Sequence, residues 1–194
     1  LIVGVGGCVA QQEGEDLLRR FPRLDFAFGP QNLVHLPAMV RAARERERSL
    51  RIDYDDPAGT RFDLPGRHPG NATTTPGRAF VTVMEGCGLF CSYCVVPRTR
   101  GREVSRPGAR IVEEIRALAA AGTSEVTLLG QTVNAYGRAR PGQVEGELAF
   151  ADLIRRVAEI PGIRRIRFTS PHPRFVTPDL IRAFAEVPEL CPHL

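Results

Sequence analysis

The chain has no lysine and no tryptophan, and nowhere in its 194 residues does an apolar run reach 18. The missing run excludes a simple membrane-spanning helix, which needs about 18 or more consecutive apolar residues. The missing lysine means that all 26 basic side chains are arginine, set against 22 acidic ones for a formal charge of +4. So small an excess permits a nucleic-acid partner without requiring one. Arginine suits phosphate because its planar fork reaches two oxygens at once. The coding bias of a GC-rich genome explains the absent lysine more simply.

Cysteine is scarce and unevenly placed. There are five, an odd number, and three of them (Cys87, Cys91 and Cys94) fall within eight residues. An odd, clustered set argues against a secreted disulfide framework and for a reducing, cytoplasmic setting. The composition, 43% hydrophobic and 25% charged, is enough for a packed core in one large domain or two small ones. The chain opens at Leu1 inside the apolar run "LIVGVGGC", without methionine, and stops at "ELCPHL". The expectation is an internal segment of a longer protein.

The pattern along the chain is α/β. Leu1–Val5 reads as a buried strand, "GGC" as a turn, "VAQQEGEDLLRRF" as one helix with Leu17, Leu18 and Phe21 on its apolar side, and Leu24–Gly29 as a second strand. Asn32 is the expected N-cap of a helix running to Arg48. Residues 49–77 are rich in turn formers and read as a linker holding one strand at Arg51–Tyr54. From Arg78 onward strand and helix alternate: "AFVTVMEG", the cysteine loop, "GARIVEEIRALAAAG" with Gly122 as its terminator, "EVTLLGQ", "FADLIRRVAEIPG", "RRIRFTS", and "TPDLIRAFAEVP" with Thr177 as N-cap and Pro178 at the first helical position. "CPHL" is expected to begin a fourth strand. Repeats of this kind build either a parallel barrel or a doubly wound sheet, and both place function at the C-terminal ends of strands. The cysteine loop follows such an end.

The spacing C-x3-C-x2-C asks what a metal does with three thiolates. Structural zinc needs four ligands, and the nearest histidines, His68 and His172, are far off in sequence. A structural zinc module and a ferredoxin-like carrier both lack a visible fourth ligand; catalytic zinc with three protein ligands stays open, although three thiolates from one tight loop would be unusual for it. A 4Fe–4S cluster fits better, because three cysteines hold three irons and leave the fourth open to a substrate.

The stretch "EGCGLFCSYCVVPRTRGREVSRP", with Tyr93 before the last cysteine, resembles the signature of the radical S-adenosylmethionine (SAM) enzymes, and within them the methylthiotransferase family. "LLGQTVNAYG", "FTSPHPRFVTPDLI" and "GVGGCVAQQEGEDL" resemble further stretches of its tRNA-acting branch, with Pro171 as a departure from the family's Ser-His-Pro. The resemblance implies the end of an N-terminal α/β methylthiotransferase domain (1–48), a linker (49–77) and the first part of a radical SAM partial (βα)6 barrel (78–194). It implies that Cys87, Cys91 and Cys94 hold a 4Fe–4S cluster whose open iron takes S-adenosylmethionine, and that Cys8 is one ligand of a second, auxiliary 4Fe–4S cluster. It places Tyr93, Gly130, Gln131, Asn134 and Ser170 at the cofactor, with Arg106 a weaker candidate on the same rim. No side chain is assigned as an acid or base.

The implied reaction is insertion of sulfur and a methyl group at C2 of N6-(dimethylallyl)adenosine beside the tRNA anticodon. The partners implied are the anticodon stem-loop and a reductant, with no membrane and a monomeric protein. Alternatives within the family are a ribosomal-protein aspartate and threonylcarbamoyladenosine in tRNA; outside it stands a metal-binding module without catalysis. The segment alone is expected to be inactive. Arg98, Arg100 and Arg102 are read either as guides for tRNA phosphate or as solvating the loop. Cys191 is read as a core cysteine, and His35 and the run at Arg44–Ser49 as structural or solvated.

Overall fold

The computed structural model describes residues 1–54, 62, 77–138 and 148–193. Most of the turn-rich stretch 49–77 lies outside them, as does Leu194. The chain forms two compact units, Leu1–Gly66 with Gly88–Arg102, and Arg67–Cys87 with Glu103–Leu194. No helix among the described residues is long and apolar enough to cross a membrane.

The first unit carries three parallel strands in the order β1 (Gly4–Gly6), β2 (Phe26–Phe28) and β3 (Ser49–Arg51). Each has three residues because β2 is that short and the ladder ends with it. β1 therefore sits later than the strand expected at Leu1–Val5, and β3 earlier than the one expected at Arg51–Tyr54. The alternation of side chains divides the core. Ala27 packs with Ala10, Leu17 and Leu24 on one face, and Phe26 packs with Met39 and Ala43 on the other. The rings of Phe26 and Phe28 lie where side chains at Gly4 and Gly6 would project, so the glycines of β1 make room for them.

Two helix expectations need correction. The single helix over "VAQQEGEDLLRRF" is two, α1 (Cys8–Glu13) and α2 (Glu15–Arg20). Gly14 breaks it with φ 54° and ψ −128°, a backbone state costly for residues bearing a Cβ. Leu17 is buried as expected, but Phe21 is half exposed beneath the Arg20 guanidinium. Asn32 is no N-cap. It lies in a 3-10 turn, Pro30–His35, and α3 (Leu36–Arg44) follows. Pro37 lacks the N–H that an α-helix already running from Asn32 would need there, so the α-helix starts afresh beside it. The Asn32 amide is buried and donates to the Asp53 carbonyl at 3.0 Å.

The second unit holds a parallel sheet, β4 (Arg78–Thr82), β7 (Glu125–Leu129) and β8 (Arg165–Phe168), in the order β4-β7-β8. A short antiparallel pair, β5 (Met84–Glu85) with β6 (Val104–Ser105), precedes α5 (Gly108–Ala120). Helices α6 (Phe150–Ala158) and α7 (Pro178–Glu186) complete the β-α alternation. The small helix α4 (Val96–Thr99) lies in the cysteine loop and belongs to the first unit.

Ala79, Val81, Val126, Leu128, Ile166 and Phe168 form one side of the second core, packed with Ile111, Ile115, Leu153, Ile154 and Leu180 from the helices. α5 ends as expected. Gly122 takes φ 96°, its N–H donates to Ala119 and that of Thr123 to Leu118, closing the carbonyls of the last turn. Thr177 caps α7, its hydroxyl accepting from the Leu180 N–H at 3.1 Å. The strand expected at "CPHL" is, among the described residues, a single bridge between Ile166 and Leu190, with Cys191 N–H donating to the Ile166 carbonyl.

The opposite face of this sheet is charged at its N-terminal end. Register places Arg78, Glu125 and Arg165 side by side on three strands. Glu125 is buried, accepting from Arg165 Nε at 2.5 Å and Arg167 Nε at 3.1 Å, with Arg78 Nε at 3.6 Å. The Arg165 hydrogen bond holds the carboxyl below its usual range, and burial opposes that shift.

Candidate functional site

The three parallel strands of the second unit deliver their C-terminal ends to one region, where that unit's own candidate residues lie. β4 leads through Val83 and β5 to Cys87, β7 leads to Gly130–Asn134, and β8 leads to Ser170 and His172. Three sets of hydrogen bonds join these ends. Gln131 Oε1 accepts from the Gly86 N–H at 2.6 Å and so fixes the backbone just before Cys87. Thr132 Oγ1 donates to Cys87 Sγ at 3.1 Å, with both residues buried. Asn134 clamps the loop after β8, its Nδ2 donating to the His172 carbonyl at 2.9 Å and its Oδ1 accepting from the His172 N–H at 2.8 Å.

That clamp holds a strained turn. Ser170 has φ 57°, uncommon for a residue with a Cβ, and its carbonyl accepts from the Val133 N–H. Ser170 itself is exposed. Of the polar candidates on this rim, Ser170 therefore presents a free surface, whereas both polar atoms of the Asn134 amide are committed to backbone. Gly130 is buried, and a Cβ there would meet Met84 at 2.6 Å and the Val133 backbone at 3.2 Å, so packing alone demands glycine. Arg106 faces Glu114, with which it forms an ion pair, and also donates to the Thr82 carbonyl.

The unit boundary falls between Cys87 and Gly88. Cys87 belongs to the second unit and is buried; Cys91 and Cys94 belong to the first and are half-buried. Within the first unit the Cys94 N–H donates to the Cys91 carbonyl at 2.9 Å, a tight turn, and Phe90 before it is left-handed at φ 50°. Tyr93 is 92% exposed. The rest of the loop is tied to the N-terminal residues. Tyr54 Oη donates to the Arg98 carbonyl, Gln31 Nε2 donates to the Arg100 carbonyl at 2.7 Å, and α1 packs against α4. Cys8, the first residue of α1, therefore lies on an element that abuts the segment just after Cys94. His35 is exposed, and Cys191 is half-buried beside β8.

Among the described residues no three His, Cys, Asp or Glu side chains are drawn together closely enough to hold a metal ion as they stand. The donor chemistry nonetheless suits a cluster. Three thiols on one loop offer the soft sulfur ligands that iron–sulfur clusters take, and the buried one already has a hydrogen-bond donor on its sulfur. Thr132 is the residue that sequence reasoning missed. A threonine set between Gln131 and Val133 at a strand end gave one weak signal, a hydroxyl in a stretch otherwise bound for the interior.

Comparison with known proteins gives a consistent result. The family model described as the radical SAM superfamily matches residues 81–194. A protein named tRNA-2-methylthio-N(6)-dimethylallyladenosine synthase from Geobacter sulfurreducens is 53% identical over 193 residues, covering 100% of this chain and 42% of that protein. The proteins of the same name from Geobacter metallireducens and an Acidovorax species are 53% and 49% identical, with the same coverage. The chain thus spans less than half the length of these relatives. The matched residues 81–194 include all three motif cysteines and every strand end described above, and by that match the chain belongs to the radical SAM superfamily.

Proposed function

We propose that this chain is the segment of a radical SAM methylthiotransferase that carries its cluster loop, and that the whole protein inserts sulfur and methyl at C2 of N6-(dimethylallyl)adenosine beside the tRNA anticodon. The observation that carries the reading is the C-x3-C-x2-C loop that follows β4 and β5, within a chain about half identical to relatives named tRNA-2-methylthio-N(6)-dimethylallyladenosine synthase. In this reading residues 1–48 are the end of the N-terminal domain, 49–77 a linker, and 78–194 the first part of a partial (βα)6 barrel. Cys87, Cys91 and Cys94 hold the radical cluster. Cys8 is a ligand of the auxiliary one, consistent with the packing of α1 on α4. The partners are the anticodon stem-loop and an external reductant, and the protein works as a cytoplasmic monomer.

Adenine C2–H is strong and unactivated, beyond the reach of side-chain acids and bases. When bound, the cluster and S-adenosylmethionine supply one-electron chemistry that generates a hydrogen-abstracting radical. The chain's own residues bind and orient. Cys87 is set by the Gln131–Gly86 and Thr132–Cys87 hydrogen bonds. Asn134 fixes the turn that exposes Ser170, so the rims after β7 and β8 keep one geometry. Ser170, Gln131 and Gly130 would bind S-adenosylmethionine, with Asn134 supporting them and Tyr93 as a further contact.

Anaerobic reconstitution of the chain with iron and sulfide, followed by iron counting and electron paramagnetic resonance, tests this. About four irons per chain at the C-x3-C-x2-C loop, lost on Cys87→Ser, and a reduced-state spectrum that moves on adding S-adenosylmethionine are the expected results. One zinc and no iron would sink the proposal.

A further inference from the structure

We infer that Thr132 is a positioning residue that raises the reduction potential of the cluster held by Cys87, Cys91 and Cys94, through its hydrogen bond to the Cys87 sulfur. The inference rests on the cluster reading above. Thr132 Oγ1 stands 3.1 Å from Cys87 Sγ. The two residues are 2% and 7% exposed, so water is poorly placed to replace the hydroxyl. The neighbours of Thr132 hold it in place. Gln131 is bound to Gly86, Val133 N–H donates to Ser170, and the Thr132 carbonyl accepts from Ala135 N–H at 2.8 Å.

A cysteinate bound to iron still has sulfur lone pairs to accept such a bond. Reduction of the cluster by one electron, delivered by an external low-potential donor, adds one negative charge shared between the irons and their sulfurs. A hydroxyl donating to one of those sulfurs stabilises the reduced form more than the oxidised form, and hydrogen bonds of this kind are among the determinants of cluster potential. Thr132 therefore eases the electron's entry, and it acts through Cys87 without touching the open iron.

The test is a redox titration, followed by electron paramagnetic resonance, of the full chain reconstituted anaerobically, comparing the parent with Thr132→Val and Thr132→Ser. Valine keeps the volume and removes the donor; serine keeps the donor. The expected result for valine is a reduced-to-oxidised ratio about tenfold lower at a given potential, which is a downward shift of about 59 mV for a one-electron couple, with serine close to the parent. Titration reads only the chains that carry a cluster, so partial loading of the valine variant leaves the comparison intact. If valine prevents loading altogether, the parent decides the matter. Its reduced spectrum in heavy water should show a strongly coupled exchangeable deuteron that the serine variant keeps. A valine variant with the parental potential, equal shifts in both variants, or a parent without that deuteron coupling overturns the inference and leaves the cluster reading standing. A parent that takes up no iron overturns both.

Discussion

Replacing Glu125 by glutamine keeps the shape of a buried side chain and removes the charge on which three arginines converge. Two hydrogen bonds to charged partners, from Arg165 Nε at 2.5 Å and Arg167 Nε at 3.1 Å, would be weakened, and Arg78 at 3.6 Å would lose its counter-ion. Such bonds are worth about 1.5–3 kcal/mol each when well shielded. Here the arginine side chains are 44–61% exposed, so each falls toward the value of about 1 kcal/mol found at surfaces. The net loss is about 2 kcal/mol, or about 1 M in urea midpoint for a slope of about 2 kcal/mol per M.

The pH dependence gives the sharper test. The folded-state pKa of Glu125 lies below the unfolded value, chiefly because of Arg165. As pH falls below about 4.5, the unfolded chain takes up the proton first, so the carboxylate's contribution is full above that pH and fades as pH drops through the folded pKa. The gap between parent and variant should be widest at neutral pH and close under acid. Urea unfolding across pH 2–8 would show this in the transition of the second unit. A gap below about 0.5 kcal/mol, the scatter of ordinary surface substitutions, or a gap that ignores pH, would refute the reasoning.

Asn134→Ala should destabilise the second unit by about 2 kcal/mol, because the His172 N–H and carbonyl both lose a partner; Asn134→Asp, which keeps the acceptor but sets a buried carboxylate oxygen against the His172 carbonyl, should be no more stable than the alanine variant in thermal unfolding. Gly137→Ala should cost more than about 2 kcal/mol, since Gly137 has φ 71° and a Cβ there would collide with the Leu148 carbonyl; a near-parental melting temperature would refute this. Thr177→Ala should lower stability by about 1 kcal/mol through loss of the α7 cap, with Thr177→Ser close to the parent in the same measurement.

What the sequence made legible was local. The alternation from Arg78, the Thr177–Pro178 start, the Gly122 stop and the cysteine spacing all depend on residues a few positions apart, where chain geometry leaves few options. Gly14 was misread because a lone glycine in a helical pattern signals only a modest penalty, whereas here it takes a conformation that ends the helix. Asn32 was misread because its partner, the Asp53 carbonyl, is 21 positions away. Glu125 was invisible for a like reason. Its arginines come from neighbouring strands, and only the register places them together. The site divides in the same way. The spacing of Cys87, Cys91 and Cys94 announced a ligand set, while the Thr132 hydroxyl that meets one of them lies 45 positions from it. The commitment of Asn134 to backbone likewise depended on a partner 38 positions on.

The first unit is not continuous along the chain, and this sets an order of events during synthesis. Tyr54 reaches its partner Arg98 across 44 residues, and Gln31 reaches Arg100 across 69. At about 5–20 residues per second, a ribosome that has just made Tyr54 needs roughly 2–9 s to supply Arg98. In that interval it makes β4 and β5, the opening strands of the other unit. The nascent N-terminal unit must wait with one flank uncovered until Val96–Thr99 arrives to pack on α1. By then its neighbour has already begun to emerge, so the maturation of the two units is interleaved in time.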